Sequence, residues 1–315
     1  MTLRRPLAAA LALGLLSLAT ACAGDDLPEE ETGGGAGSGG STGGQVTLAS
    51  QSFDEAALIT AMYAALLEDT GYEVETRLVD TRGAYLGEIP GTVDIVPEYL
   101  AGLGDELNVS LNGEGAPPIS TSDTQETLDA MAPLLEEKGI TLLETSGASS
   151  QNAYFVTQEF SDAEGVTALS DLEGQAVTLA AAPDCKGRAD CEAGLSEVYG
   201  MDVTLLPLGY ASPQTYQSVL DGESQLGQTG TFDGSLEAQG LVLLEDDRGI
   251  QPAQNLVPAV STEFLGEHPD VEDTLNALME VLDNDTLGGL LLQVTVDRES
   301  VEDVAQQFLT DEGLL

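Results

Sequence analysis

The chain has 315 residues, 42% of them hydrophobic, which supplies one large or two medium cores and is too apolar for a disordered protein. Aspartate and glutamate number 55 against 9 lysines and arginines, a formal net charge of −46, and so negative a surface excludes nucleic-acid binding, which depends on neutralising phosphates. One histidine, three cysteines and no tryptophan leave little material for histidine-rich metal sites or Ser-His-Asp catalysis.

The chain opens with Arg4 and Arg5, then an apolar run over 6–19 that is too short to span a bilayer and suits a signal peptide. Small residues lead into Cys22. This pattern resembles a bacterial lipobox, in which Cys22 is lipidated and becomes the new N-terminus; an ordinary signal with an incidental cysteine is the alternative. Residues 1–21 are therefore expected to be a lipoprotein signal peptide. Residues 22–45, acidic and then glycine-rich, form a flexible tether. Lipid and tether together anchor an extracytoplasmic domain at the cell membrane without embedding it.

The folded part starts near residue 46. A short strand over 46–49 leads to Ser52-Phe53-Asp54-Glu55, which has the form of a capping box. The following helix carries an apolar stripe at helical spacing through Leu58, Ile59, Met62, Tyr63, Leu66 and Leu67, and Gly71 ends it. Strands are predicted over 72–79 and 93–96, a helix over 124–138 that Pro133 kinks or breaks, and a strand over 140–143. A second set follows: strands over 153–157, 176–180, 203–208, 225–228, 241–244 and 255–260, with helices over 193–199 and 213–220. The tail is helical, with stripes through Val271, Leu275, Leu278, Met279 and Leu282 and through Val301, Val304, Ala305 and Phe308. Strands alternating with helices predict an α/β fold with mainly parallel sheets. Cys185 and Cys191 remain as an even pair outside the cytosol and are expected to form a disulfide, worth about 2.4 kcal/mol by loop-entropy arithmetic.

No dinucleotide fingerprint, phosphate loop, nucleophile elbow or zinc-protease motif is present. Among so many acids, any carboxylate pair reads first as a solvated surface. His268, in Glu267-His268-Pro269, reads as the start of a helix. No catalytic residue, metal or cofactor is expected, and an exported α/β chain without catalytic motifs reads as a binding module rather than an enzyme.

Several segments carry a resemblance: Ser50-Gln51-Ser52-Phe53-Asp54-Glu55, then Val93-Asp94-Ile95-Val96-Pro97-Glu98-Tyr99, Ala182-Pro183-Asp184 through Arg188-Ala189-Asp190, and Asn255-Leu256-Val257-Pro258. In order and spacing the chain resembles the substrate-binding proteins of glycine betaine/choline/proline (osmoprotectant) ABC transporters. The resemblance implies a two-lobed periplasmic-binding-protein (Venus-flytrap) fold with a ligand cleft between the lobes. Lobe one would comprise 46–147 and 250–315, and lobe two 148–249. It further implies a monomeric receptor, anchored through lipid only, that binds a quaternary ammonium or zwitterionic solute such as glycine betaine or choline and delivers it to an ABC transporter permease. A sensor or accessory lipoprotein of the same fold for a different small ligand is the alternative.

A quaternary ammonium donates no hydrogen bond, so aromatic faces hold it by cation–π attraction, and a ligand carboxylate calls for arginine. By resemblance, Tyr99 and Tyr154 are box tyrosines and Arg188 is the carboxylate-binding arginine. Gln51 replaces a family lysine, while Gly230 and Gln254 stand where two further tyrosines are usual. Thr231 and Asp233, beside Gly230, complete the expected ligand-binding set with Gln51 and Gln254. Phe232, Tyr85 and Tyr216 are candidates for the aromatic gap. Ordinary packing remains the alternative for the two tyrosines, as does an ion pair with Asp184 or Asp190 for Arg188.

Overall fold

The computed structural model describes residues 43–315. The expected signal peptide, Cys22 and most of the tether lie outside the described residues. Among those described, no helix is long and apolar enough to cross a membrane.

The described residues form two five-stranded sheets. Strands β1 (Gln45–Gln51), β2 (Glu73–Val79), β3 (Ile95–Tyr99) and β4 (Ile140–Leu142) belong to the first. Strands β5 (Asn152–Thr157), β6 (Ala176–Ala181), β7 (Asp202–Pro207), β8 (Leu226–Gly230) and β9 (Leu241–Leu244) make the second. The chain then returns as β10 (Leu256–Ser261), inserted between β3 and β4.

The two sheets repeat one plan, β2-β1-β3-β10-β4 and β7-β6-β8-β5-β9. β1 runs parallel to β2 and β3, and β6 runs parallel to β7 and β8. β10 and β5, however, pair antiparallel with both of their neighbours. The sheets are thus mixed, not mainly parallel. Strand-helix-strand units give parallel neighbours, but β5 and β10 each arrive from the other half of the molecule and are free to enter in the opposite sense.

The helix Asp54–Asp69 buries Leu58, Ile59, Met62, Tyr63 and Leu67 completely. They pack against Val271, Leu275 and Leu278 of the helix Asp270–Val281 and against Val304 and Phe308 of the helix Val301–Asp311. At about 1.5–3 kcal/mol per fully buried large aliphatic side chain, this stripe is a major contribution to the first half, beside a second buried cluster around Val96, Leu103 and Met131. The second half has its own core around Tyr154, Leu179, Leu195 and Tyr199. The Cys185–Cys191 disulfide lies within it, with Cα atoms 5.3 Å apart.

Three local expectations change. The first helix is capped by Phe53 without a side-chain hydrogen bond; the Ser52 hydroxyl reaches Asp80 at 3.4 Å, and Glu55 accepts a hydrogen bond from Ser150 instead of closing a capping box. The helix Thr124–Lys138 runs through Pro133 unbroken, with Asp123 accepting from the Glu126 amide at 2.8 Å. His268 sits at a junction: it caps the end of Thr262–Glu267, and its carbonyl accepts from Val271 in the next helix.

Two chain crossings join the halves and pair with each other. Ser149 bridges Asn255 antiparallel, the Ser150 amide donates to the Gln254 carbonyl, and the Leu256 amide donates to the Ala148 carbonyl, both at 3.0 Å. Beyond β8, the turn through Gly234 presses on the helix Asn284–Leu292. A Cβ on Gly234 would stand 2.5 Å from the Gly288 carbonyl oxygen, so this approach admits glycine only.

Candidate binding cleft

The Pro97-Glu98-Tyr99 segment is fixed from behind. Glu98 is fully buried. It accepts from Arg82 Nε at 2.8 and 3.0 Å, from the Tyr85 hydroxyl at 2.6 Å and from the Tyr99 amide at 3.0 Å. Tyr85 is thereby committed to this interior network rather than to an aromatic box. The Tyr99 ring stacks on Phe53, with centroids 6.1 Å apart. Glu55, in the first turn of the first helix, offers one oxygen to the Ser150 hydroxyl at 3.3 Å. Its other oxygen and the Tyr99 hydroxyl are both buried without a hydrogen-bond partner. Burial raises the Glu55 carboxyl above the ordinary range against the opposing influence of the Tyr99 and Ser150 hydroxyls.

On the opposite wall Asp233, Thr231 and Arg188 all have partners. One oxygen of Asp233 accepts from the hydroxyls of Tyr216 and Thr229, each at 2.6 Å, and the other accepts from the Ser235 amide at 3.1 Å and hydroxyl at 2.6 Å. Tyr216 is stacked on Phe155 at 5.3 Å; burial first, then the hydrogen bond to Asp233, push its phenol well up. The Thr231 hydroxyl donates to the Ser149 carbonyl at 2.5 Å and accepts from the Gln151 amide at 3.1 Å. Arg188 rides on the disulfide loop. Its Nε and Nη2 clamp Asp190 at 2.9 and 2.5 Å, and its Nη1 reaches Asp184 at 3.1 Å.

Gly230 proves informative. A Cβ there would lie 2.6 Å from the Tyr210 hydroxyl, so the missing side chain makes room for an aromatic from another segment. Tyr210 follows β7 in a turn where Ala211 adopts φ 44°, and it remains 49% exposed. Partial burial, followed by the charges of Glu55 and Asp233, lifts its phenol to about 12.

Two cavities share Ser150, Gln151 and Tyr210. One, of about 250 Å³, is lined by Glu55 from the first half and by Tyr216, Thr231, Phe232 and Asp233 from the second. The other, of about 270 Å³, is lined by Arg188, Asp190, Gln251 and Gln254. Larger hollows of about 390 and 560 Å³ flank Asn284, but neither is lined by Glu55, which the 250 Å³ cavity joins to aromatic faces.

The cleft therefore gathers Thr231, Asp233, Arg188 and Gln254. Gln254 also accepts from the Gly102 amide at 3.0 Å. Tyr99 stands behind Glu55 rather than on the cavity wall. Tyr154 is buried in the second core with its hydroxyl donating to the Asp190 carbonyl at 2.8 Å, and it lines a separate hollow. Gln51 is half-buried at the end of β1 and lines neither cavity. Sequence reasoning missed two residues: Glu55, read as a helix cap, and Tyr210, whose only signal was a turn-rich Gly209-Tyr210-Ala211-Ser212-Pro213.

A family model described as the substrate binding domain of the ABC-type glycine betaine transport system matches residues 44–311. The chain is 26% identical to the glycine-betaine-binding protein of Pseudomonas aeruginosa over 291 residues, covering 85% of this chain and 88% of that protein. It is 25% identical to the glycine betaine-binding protein YehZ of Escherichia coli over 282 residues, covering 85% and 90%. The solved structure of apo YehZ superposes with a TM-score of 0.73 at 23% identity, covering 86% of this chain and 99% of that one, which shows a shared two-lobed fold.

Proposed function

Because the chain belongs to the substrate-binding domains of ABC-type glycine betaine transport systems, we propose that it is the extracytoplasmic receptor of an ABC importer for a quaternary ammonium solute. The family is one of solute binding, not of catalysis. The observation that carries the proposal is the cavity in which Tyr210, Tyr216 and Phe232 meet Glu55. Aromatic faces suit a cation that donates no hydrogen bonds, and the acid supplies opposite charge at low dielectric.

In this reading 46–147 with 250–315 and 148–249 are the two lobes, and the two mixed sheets support that division. Thr231 and Asp233 act through what they hold: Thr231 ties the floor to Ser149 and Gln151, and Asp233 fixes the Tyr216 ring. Arg188, Gln254, Tyr99, Tyr154 and Gln51 complete the proposed binding set around or behind the cleft. The signal-like start, Cys22 and the glycine-rich stretch support a lipid-anchored monomer that hands its solute to a membrane permease. Mass spectrometry of the membrane fraction tests the anchor: an acylated N-terminal Cys22 is expected, and a free thiol there would overturn it.

The binding proposal is tested by titrating the full-length protein with glycine betaine and choline in a calorimeter, alongside a thermal-shift series. Bound solute raises the melting temperature by mass action. Absence of binding by either compound at millimolar concentration would refute the proposal.

A further inference from the structure

We infer that Glu55 sets the specificity of the cleft, selecting a net-cationic solute that carries a hydrogen-bond donor, of the amino-alcohol type, over a zwitterion that carries a carboxylate. The inference rests on the reading of the cleft as a quaternary ammonium site and adds which member of that class it takes.

Three features of the walls argue for it. The first is a buried acceptor without a donor. One Glu55 oxygen has no partner although Ser150 and Tyr99 are its neighbours. An unsatisfied buried acceptor costs more than an average hydrogen bond gains, so the site is completed by a ligand that brings a donor. The Tyr99 hydroxyl, behind Glu55, is likewise without a partner within hydrogen-bond distance, and its influence on the acid favours the charged form, the form that best accepts from a ligand in the cavity. A ligand hydroxyl can donate to this acceptor; a carboxylate only accepts.

The second feature is the arginine. A guanidinium recognises a carboxylate through two parallel hydrogen bonds. Arg188 already spends that geometry on Asp190 and directs its remaining nitrogen to Asp184. Asp190 is held in turn by the Asn152 amide at 2.9 Å. A ligand carboxylate would have to displace Asp190 and leave that acid without its cation. Gln51, where the resemblance expects lysine, restores no positive charge.

The third is the sign of the field. Glu55, Asp190 and Asp233 line the paired cavities and Arg188 is the lone basic residue among their lining residues. A cation gains from that imbalance and a carboxylate is repelled by it. The ammonium group rests against Tyr210 and Tyr216, and the hydroxyl end points to Glu55.

Calorimetry on the full-length protein tests the inference with choline, glycine betaine and ethyltrimethylammonium, the last matching choline without its hydroxyl. Choline is expected to bind at least about tenfold more tightly than either of the others, the scale of one hydrogen bond to a charged group. Glu55→Gln keeps size and removes charge; it should weaken choline by about tenfold and narrow its lead over betaine. Glycine betaine binding as tightly as choline to the unaltered protein would overturn the inference while leaving the quaternary ammonium reading intact. Equal affinity for choline and ethyltrimethylammonium would overturn it as well, and both ratios are read without any variant. Failure of all three compounds to bind would remove the underlying reading and the inference together.

Discussion

The two walls of the cleft are built on the same strand plan yet finished in opposite ways. On the second-lobe wall three polar side chains are matched: Asp233 holds four donors, Arg188 is clamped by two acids, and Thr231 both donates and accepts. On the first-lobe side Glu55, Tyr99 behind it, and Gln251 each keep a buried oxygen without a partner. A matched wall is a scaffold that holds its shape with or without ligand. An unmatched wall is unfinished until something binds, and chemical preference resides there.

The largest way to break this contrast is to remove the support beneath the unmatched wall. Glu98→Ala leaves Arg82 and the Tyr85 hydroxyl without their shared acceptor, and urea unfolding should show a loss of about 3–5 kcal/mol, as for a broken buried ion pair. A loss below about 1 kcal/mol would class the pair with surface salt bridges. Next in size is the scaffold of the matched wall. Replacing Cys185 and Cys191 together by serine should cost about 2.4 kcal/mol by loop entropy, measured as the same unfolding curve with and without reductant.

Tyr210→Ala sharpens the contrast by stripping an aromatic face while leaving the polar pairs in place. Choline affinity should fall by about 1–2 kcal/mol, the scale of a desolvated cation–π contact, with little change in melting temperature, since Tyr210 is half-exposed. Calorimetry with the ligand-free melt as control checks both halves of that statement.

The smallest expected effect is a slope with pH. Burial raises the Glu55 carboxyl above 4.5, so between that value and its folded one the native state binds more protons than the unfolded chain. Glu55 therefore favours folding at low pH, and its contribution is lost as pH rises through the raised value. Asp171, Asp247 and Asp283 are shifted the other way by their hydrogen bonds, so the comparison must be made between variants. Relative to the unaltered protein, Glu55→Gln should gain unliganded stability as pH rises above 4.5. Bound cation reverses the sign at Glu55 by favouring its charged form, so choline affinity should rise over the same window.

The sequence was legible where a pattern is local. The stripe from Leu58 to Leu67 stands at helical spacing, and the structure buries that face. The Cys185–Cys191 bridge followed from arithmetic and compartment. Strand direction was not legible, because β5 and β10 owe their antiparallel entry to chain crossings and not to their own residues. The helix Leu100–Asn112 gave no start signal: it leaves β3 directly at Tyr99, with no side-chain cap and with Gly102 and Gly104 in its opening turns. At the cleft, Glu55 carried the spacing of a helix cap but faces a serine 95 positions away. Tyr210 could not be linked to Gly230 by sequence, since a turn and the end of a strand meet there only in the fold.

The paired crossings at Ser149 and Asn255 have a mechanical consequence. Two antiparallel segments bonded side by side form a two-stranded ribbon, narrower and more readily bent or twisted than the five-stranded sheets it joins. The Asn255 side chain pins one ply, accepting from Thr124 at 2.8 Å and donating to the Ser146 carbonyl at 3.1 Å. Any relative movement of the halves has to pass through this bonded pair, a hinge-type rather than a shear-type connection.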